Sequence, residues 1–208
     1  AFSQGAAVGA GVIVAQYLGA RDKKSVSDAV HTSLVIAGIL GIVLTIAGIV
    51  LSRQLLEWMK TPDEVMEQAV TYFRLYSAGM FFGIIYNMAA GILNAAGNSK
   101  RSLLYLAVAS FTNIVLDILF IAILDMGVAG AAIATDISQA VSCILSMAFL
   151  MRVKDSYQVS LKKLKIHRRI AGSMIRVGLP TGIQNMVISL SNVLVQTSVN
   201  GFGAAAMA

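Results

Sequence analysis

Charge is what this sequence has least of. Only 12% of its 208 residues are Asp, Glu, Lys or Arg, while 57% are hydrophobic, and the mean hydropathy is +0.78. A soluble domain carries charge on about a quarter of its residues, so this scarcity excludes one and places the chain in lipid. Cysteine is nearly absent too. The single Cys143 lies inside an apolar run, which excludes a disulfide and any cysteine metal-ligand spacing and leaves packing as its role. A charged amino-terminal region and a cleavage site are both missing, so no cleavable signal peptide can be argued. The sequence opens within an apolar run without an initiator methionine and stops on GFGAAAMA inside another, as expected of a fragment. The basic excess of +6 falls in short clusters between apolar runs, which argues against a nucleic-acid partner.

What is present is a series of apolar runs. A spanning helix needs about 20 mostly apolar residues, and six candidates stand out: Phe2 to Leu18, Val26 to Leu51, Leu75 to Ala95, Leu103 to Leu124, Val128 to Met151 and Met174 to Asn200. The pattern predicts an all-α integral membrane protein with six transmembrane helices. Alternate connections carry ARDKK (Ala20 to Lys24), NSKR (Asn98 to Arg101) and the segment from Arg152 to Arg176, together 13 of the 16 Lys and Arg residues. These loops are expected on the cytoplasmic side of the cell membrane.

Local signals refine the boundaries. Thr61-Pro62-Asp63-Glu64 has the form of a helix start with a capping threonine and a glutamate three residues on. Arg74, about three turns later, is expected to snorkel to the outer interface. Gly5 and Gly9 have the spacing that lets two helices approach closely. The basic segment SLKKLKIHRRIAGSMIR interleaves Leu161, Leu164, Ile166 and Ile170 with base. It is expected in the headgroup plane against anionic lipid, with His167 solvated.

The chemistry concentrates in FTNIVLDILFI. An aspartate near the centre of a spanning helix costs about 2.5 to 3.5 kcal/mol on insertion scales and usually serves an ion, a proton or a polar partner. Asp117 is therefore the leading site residue. Asn113, one turn earlier on the same face, is placed to donate to its carboxylate. Burial and a bound cation pull such a carboxyl group in opposite directions, which is how one group exchanges a proton for Na⁺. A structural hydrogen bond between helices is the plainer alternative. Thr135, after the short LDMG turn, is placed to face Asp117 from an antiparallel neighbour. Asp136, about 100° round the helix, then faces another helix or a water-filled cavity.

In the last run Asn185, Ser189, Asn192, Gln196 and Asn200 recur at steps of three and four, a polar stripe that should not face lipid. It either lines an aqueous cavity or bonds to neighbouring helices. Amides, which both donate and accept, suit a cavity admitting varied ligands.

The run GNSKRSLLYLAVASFTNIVLDILFI, followed by GVAGAAIATDIS and by IRVGLPTGIQN opening a new span, resembles the multidrug and toxic compound extrusion (MATE) transporters, prokaryotic branch. The resemblance runs through essentially the whole chain and matches the second to seventh of that family's twelve helices. It implies two six-helix lobes related by pseudo-twofold symmetry. Residues 1–152 would be helices two to six of the amino-terminal lobe, 153–173 a basic cytoplasmic linker, and 174–208 the first helix of the carboxy-terminal lobe. It also implies a non-enzymatic antiporter exporting organic, often cationic, drugs or metabolites by alternating access, with H⁺ or Na⁺ as coupling ion and no other cofactor.

Residue by residue, Asp117 and Asn113 match the family's aspartate and asparagine on its fifth helix and Thr135 its threonine on the sixth. Asp117 would then be the ligand of Na⁺ where Na⁺ couples. The family's fourth-helix asparagine falls at Ala90, with Asn87 and Asn94 about one turn to either side, and its seventh-helix glutamate has no counterpart near Ile188. Expected partners are small organic substrates and membrane lipid, with no obligate protein partner. A lipid-linked precursor flippase would share this architecture, but its cavity is strongly basic and these spans hold almost no Lys or Arg. An intramembrane aspartyl protease would pair Asp117 with Asp136, but the glycine-rich context of a second catalytic aspartate is missing.

Overall fold

A computed structural model describes the backbone of residues 2–59 and 61–201 and the side chains of residues 3–59 and 61–192. Among these, six α-helices account for all six apolar runs: α1 (Phe2–Gly19), α2 (Lys23–Trp58), α3 (Asp63–Ala95), α4 (Ser99–Asp117), α5 (Gly127–Arg152) and α6 (Arg168–Gly201). The chain is an all-α membrane protein. α2, α3, α5 and the stretch Ser99–Ile123 are each long and apolar enough to cross a bilayer. Large apolar side chains stay exposed along them, such as Ile42, Ile46 and Val50 on α2 and Leu103, Phe111 and Ile114 on α4. A contiguous apolar surface of this extent needs lipid as its solvent.

Two helix boundaries have a clear local cause. Asp22 caps α2 by accepting from the Ser25 backbone N–H at 3.1 Å and the Ser25 hydroxyl at 2.6 Å, satisfying a donor that the first turn leaves free. α3 closes with Gly97 at φ +77, where the Asn98 N–H reaches the Leu93 carbonyl at 2.8 Å and the Gly97 N–H reaches Asn94 at 3.1 Å. That paired return needs a left-handed residue, and glycine supplies it without a Cβ penalty. At the start of α3 the expectation fails. Pro62 occupies the capping position and no side chain caps the helix, because the chain enters through extended proline backbone one residue after Thr61.

α4 does not end at Asp117 as a plain helix. Residues Ile118–Ile123 continue it as a π-helical turn, in which the Leu124 N–H reaches back five residues to the Leu119 carbonyl at 3.0 Å. Such wide turns inside helices are uncommon and recur at functional sites.

Packing is built on small residues. Ala29 and Ala37 on α2, Ala89 on α3, and Ala132, Ala134 and Ser146 on α5 are fully buried, which lets helix backbones approach where lipid gives apolar side chains no reason to leave it. The larger core residues Val14, Val30, Met88, Ile92, Leu93 and Leu150 fill the space among α1, α2, α3 and α5. Tyr157 and Val159, after α5, fold back onto the same core. Gly5 and Gly9 do pack closely, as their spacing predicts. A Cβ built on Gly5 would stand 2.6 Å from the Gly182 Cα, and one on Gly9 2.8 Å from the Gly178 Cα. Both contacts are with α6.

The basic connection is not one amphipathic helix. It holds a turn at 155–157 and a short helical turn at Leu161–Lys163, and α6 starts at Arg168, within the stretch 153–173. Leu161, Leu164 and Ile166 are exposed, but Ile170 is buried in the core. His167 is not simply solvated. Its backbone N–H donates to the Thr32 hydroxyl at 3.2 Å, and its Nε2 lies 3.8 Å from Asp28 Oδ1.

Candidate functional site

α4 and α5 form the hairpin that carries the candidate cation site. The turn 124–126 between them comes seven residues after Asp117 and nine before Thr135. α4 and α5 pack against each other, which puts the two residues on neighbouring helices. Asn113 and Asp117 are both half-buried.

Asn113 Nδ2 and Asp117 Oδ1 are each shielded from solvent and have no hydrogen-bond partner among the described residues. The expected donation from Asn113 to the carboxylate is therefore not made. Thr135 does not reach across either, since its hydroxyl donates to the Ala131 carbonyl of its own helix at 2.9 Å. The two atoms stand one turn apart on α4, before its π-helical turn, and buried polar groups of this kind call for a partner. No hydrogen bond joins any two of the three residues among the described side chains. No cluster of three His, Cys, Asp or Glu side chains able to hold a metal occurs among the described residues.

Asp136 takes the other direction open to it. Its carboxyl group lies against Gly79 of α3, where a Cβ would collide with it, and one turn on Gln139 meets Gly83 in the same way. Gly79 and Gly83 are thus notches in α3 that admit two polar side chains of α5. Asp136 Oδ1 is buried there without a partner.

The polar stripe on α6 divides. Asn185 is half-buried, whereas Ser189 and Asn192 are exposed, and the Ser189 hydroxyl donates to the Asn185 carbonyl at 2.8 Å. The side chains of Gln196 and Asn200 lie outside the described residues. Asn185 borders a concavity of about 580 Å³ between α1, α3 and α6, whose polar lining is Gln4, Asn87, Asn94 and Asn185. Asn87 and Asn94 flank Ala90, which lines the same concavity. A smaller cavity of about 250 Å³ among α1, α2, α3 and α6 is apolar, lined by Ala6, Ala10, Met88, Met174 and Leu179 among others. Neither includes Asp117. Sequence reasoning missed the glycine partners on α6 and the notches on α3, although the same four-residue spacing marks both.

This arrangement defines a multi-pass α-helical membrane protein with carboxyl and amide groups held inside its helix bundle. A family model described as MatE matches residues 1–119, and the chain belongs to that family. It is similar to the Probable multidrug resistance protein YpnP of Bacillus subtilis (strain 168), with 31% identity over 92% of this chain and 42% of that protein. Among solved structures it resembles the inward-facing conformation of a multidrug resistance MATE family transporter of the MOP superfamily (33% identity, TM-score 0.84, 91% of this chain and 43% of that one). It also resembles an outward-facing conformation described in the same words (32% identity, TM-score 0.87, 97% of this chain and 45% of that one). The chain spans less than half the length of each.

Proposed function

We propose that this chain forms part of a cation-coupled exporter of organic, often cationic, compounds, in which Asp117 loads and releases H⁺ or Na⁺. The observation that carries this reading is the carboxylate oxygen of Asp117, buried at the π-helical turn with no donor to satisfy it. A carboxyl group in that setting changes state when a proton or a hard cation arrives, because either one removes the cost of the uncompensated charge. Asn113 would contribute its amide oxygen and Thr135 its hydroxyl oxygen, oxygen donors of the kind that suit Na⁺ as well as a proton. No further cofactor enters this reading.

The concavity bordered by Gln4, Asn87, Asn94 and Asn185 is the proposed substrate-facing surface, with Asn192 exposed further along α6. Neutral amides orient varied organic molecules without selecting one charge pattern. The names of the multidrug relatives support that substrate class. The same lining carries no basic side chain, which favours export of organic compounds over a flippase reaction on a lipid-linked pyrophosphate. In the whole protein, residues 1–152 would belong to one lobe of a twelve-helix pair and 174–208 to the next, joined by the basic linker 153–173. The basic loops would face the cytoplasm across the cell membrane.

The test is efflux of an organic cation from vesicles containing the full-length protein, with proton and sodium gradients imposed separately. Transport driven by one gradient is expected and identifies the ion. Transport equally fast with both gradients collapsed would overturn the coupling.

A further inference from the structure

The loop between α5 and α6 is fastened at both ends to the first turns of α2. At one end the Ser160 N–H donates to His31 Nε2 at 3.0 Å. His31 is only 2% exposed, and its Nδ1–H donates to the Ser27 carbonyl at 2.6 Å, which fixes the neutral tautomer that can accept from Ser160. At the other end the His167 N–H donates to the Thr32 hydroxyl at 3.2 Å, and that hydroxyl reaches the Lys165 carbonyl at 3.3 Å. The segment 161–166 is thus exposed between two fixed points, Ser160 and the Lys165–His167 backbone.

Between these two fastenings three apolar side chains are exposed. Leu161 is 63% exposed, Leu164 42% and Ile166 41%, which is unexpected of side chains on an anchored backbone unless their solvent is not water. Lys162, Lys163 and Lys165 alternate with them, and Arg168 and Arg169 follow, all exposed. None of the five is ion-paired among the described residues. No acidic residue occurs after Asp155 in the sequence. The loop joins the ends of two membrane helices and sits on the start of a third, so it lies at the height where hydrocarbon gives way to headgroups.

We propose that residues 161–169 form a fixed foot that binds anionic phospholipid on the basic side of the membrane. Leu161, Leu164 and Ile166 dip into the acyl boundary, and the lysines and arginines collect phosphate-bearing headgroups around them. The charge pattern selects lipid of negative charge, and the apolar residues distinguish a bilayer from a soluble acidic partner. This inference rests on the chain being a membrane protein and is independent of which ion, if any, Asp117 carries.

The test places an environment-sensitive fluorophore on Leu164→Cys in a Cys143→Ala background of the full-length protein. The protein is reconstituted in vesicles of phosphatidylcholine alone and in an equal mixture of phosphatidylcholine and phosphatidylglycerol. In the mixed vesicles the probe is expected to emit as in an apolar setting and to be quenched by nitroxide-labelled phosphatidylglycerol several-fold more than by the phosphatidylcholine analogue. Raised salt should reduce that preference, and so should Lys162→Gln, Lys163→Gln and Lys165→Gln together. The salt arm needs no substitution in the basic cluster, so it decides the matter even if the triple variant fails to fold. Equal quenching by both lipids at low salt would overturn headgroup recognition. A probe open to an aqueous quencher in both vesicles would overturn lipid binding altogether and assign the loop to a soluble partner.

Discussion

Gly9 of α1 and Gly178 of α6 bring two helix backbones into direct contact: a Cβ on Gly9 would lie 2.8 Å from both the Cα and the N of Gly178. Gly178 is equally tight against the preceding turn of α1, since a Cβ there would meet the Gly5 carbonyl oxygen at 2.7 Å. Neither partner is the far end of a flexible side chain, so neither can step aside without moving its helix. Pro180 lies between Gly178 and Gly182 inside α6 and removes the hydrogen bond its N–H would make. Tight contact and weakened backbone thus coincide at one crossing.

Gly178→Val should therefore separate α1 from α6. The expected loss is about 1–3 kcal/mol, the usual cost of overpacking a well-filled contact, read as a lowered melting temperature of the detergent-solubilised protein. Gly172→Ala, where nothing lies within 4 Å of the added methyl, serves as the control and should melt like the parent. Identical melting of the Gly178→Val variant and the parent would refute the crossing.

The notch at Gly79 makes a separable prediction, because the obstacle there is a side chain. Gly79→Ala collides with the Asp136 carboxyl group, so it should destabilise the α3–α5 contact. In an Asp136→Gly background, which also removes the Asp136 Cβ that would stand 2.7 Å from the added methyl, the same substitution should cost clearly less. A coupling of about 0.5–3 kcal/mol between the two sites is expected for residues in contact. Additive effects on melting would mean that Asp136 does not occupy the notch.

How much of this was legible in the sequence follows from the range of each interaction. Six apolar runs became six helices because a backbone in lipid must satisfy its own hydrogen bonds, and a run of about 20 apolar residues does so as a helix. The Gly5 and Gly9 spacing announced a close approach, but its partners lie on α6, at the other end of the sequence, and only the tertiary fold pairs them. His167 looked solvated for the same reason, since Asp28 and Thr32 are remote in sequence. The expected Asn113–Asp117 hydrogen bond, which the structure does not make, failed for a different reason. Spacing places two side chains on one face but does not fix the rotamers that join them. The π-helical turn after Asp117 has no spacing signature at all.

The Asp22 cap gives the start of α2 a pH dependence. The hydrogen bond from the Ser25 hydroxyl, reinforced by the Ser25 backbone N–H, holds the carboxyl below its ordinary value of 3.8. A depressed folded-state pKa contributes stability that is present above the unfolded value and lost as pH falls through the folded one. Amide-exchange protection over the first turn of α2 should therefore persist at neutral pH and fall below about pH 4. Asp22→Ala should show the lower protection at every pH. Protection of the parent that does not change on acidification would remove the cap as its source.

Asn192, exposed on α6, separates a cavity from a helix contact in the full-length protein. Cysteine introduced there should react with a membrane-impermeant thiol reagent, and bound substrate should slow the reaction. The native Cys143 is buried and should contribute little background. Complete protection of position 192 under every ion gradient would assign the polar stripe to interhelical hydrogen bonds instead.

The decisive substitution is Asp117→Asn. An amide keeps the approximate shape of the carboxyl group and removes the charge that changes state on loading, so it isolates coupling from packing. Burying a neutral amide costs less than burying an ion, so insertion, expression and melting temperature should hold or improve. Gradient-driven efflux should fall to the level of empty vesicles, while binding of an organic substrate to the detergent-solubilised protein persists. Asn113→Ala and Thr135→Ala remove one oxygen donor each and should weaken coupling without abolishing it, visible as a higher ion concentration for half-maximal transport. Efflux by Asp117→Asn at the parent rate, at equal expression and under the same gradient, would make Asp117 structural and move the coupling site to another helix.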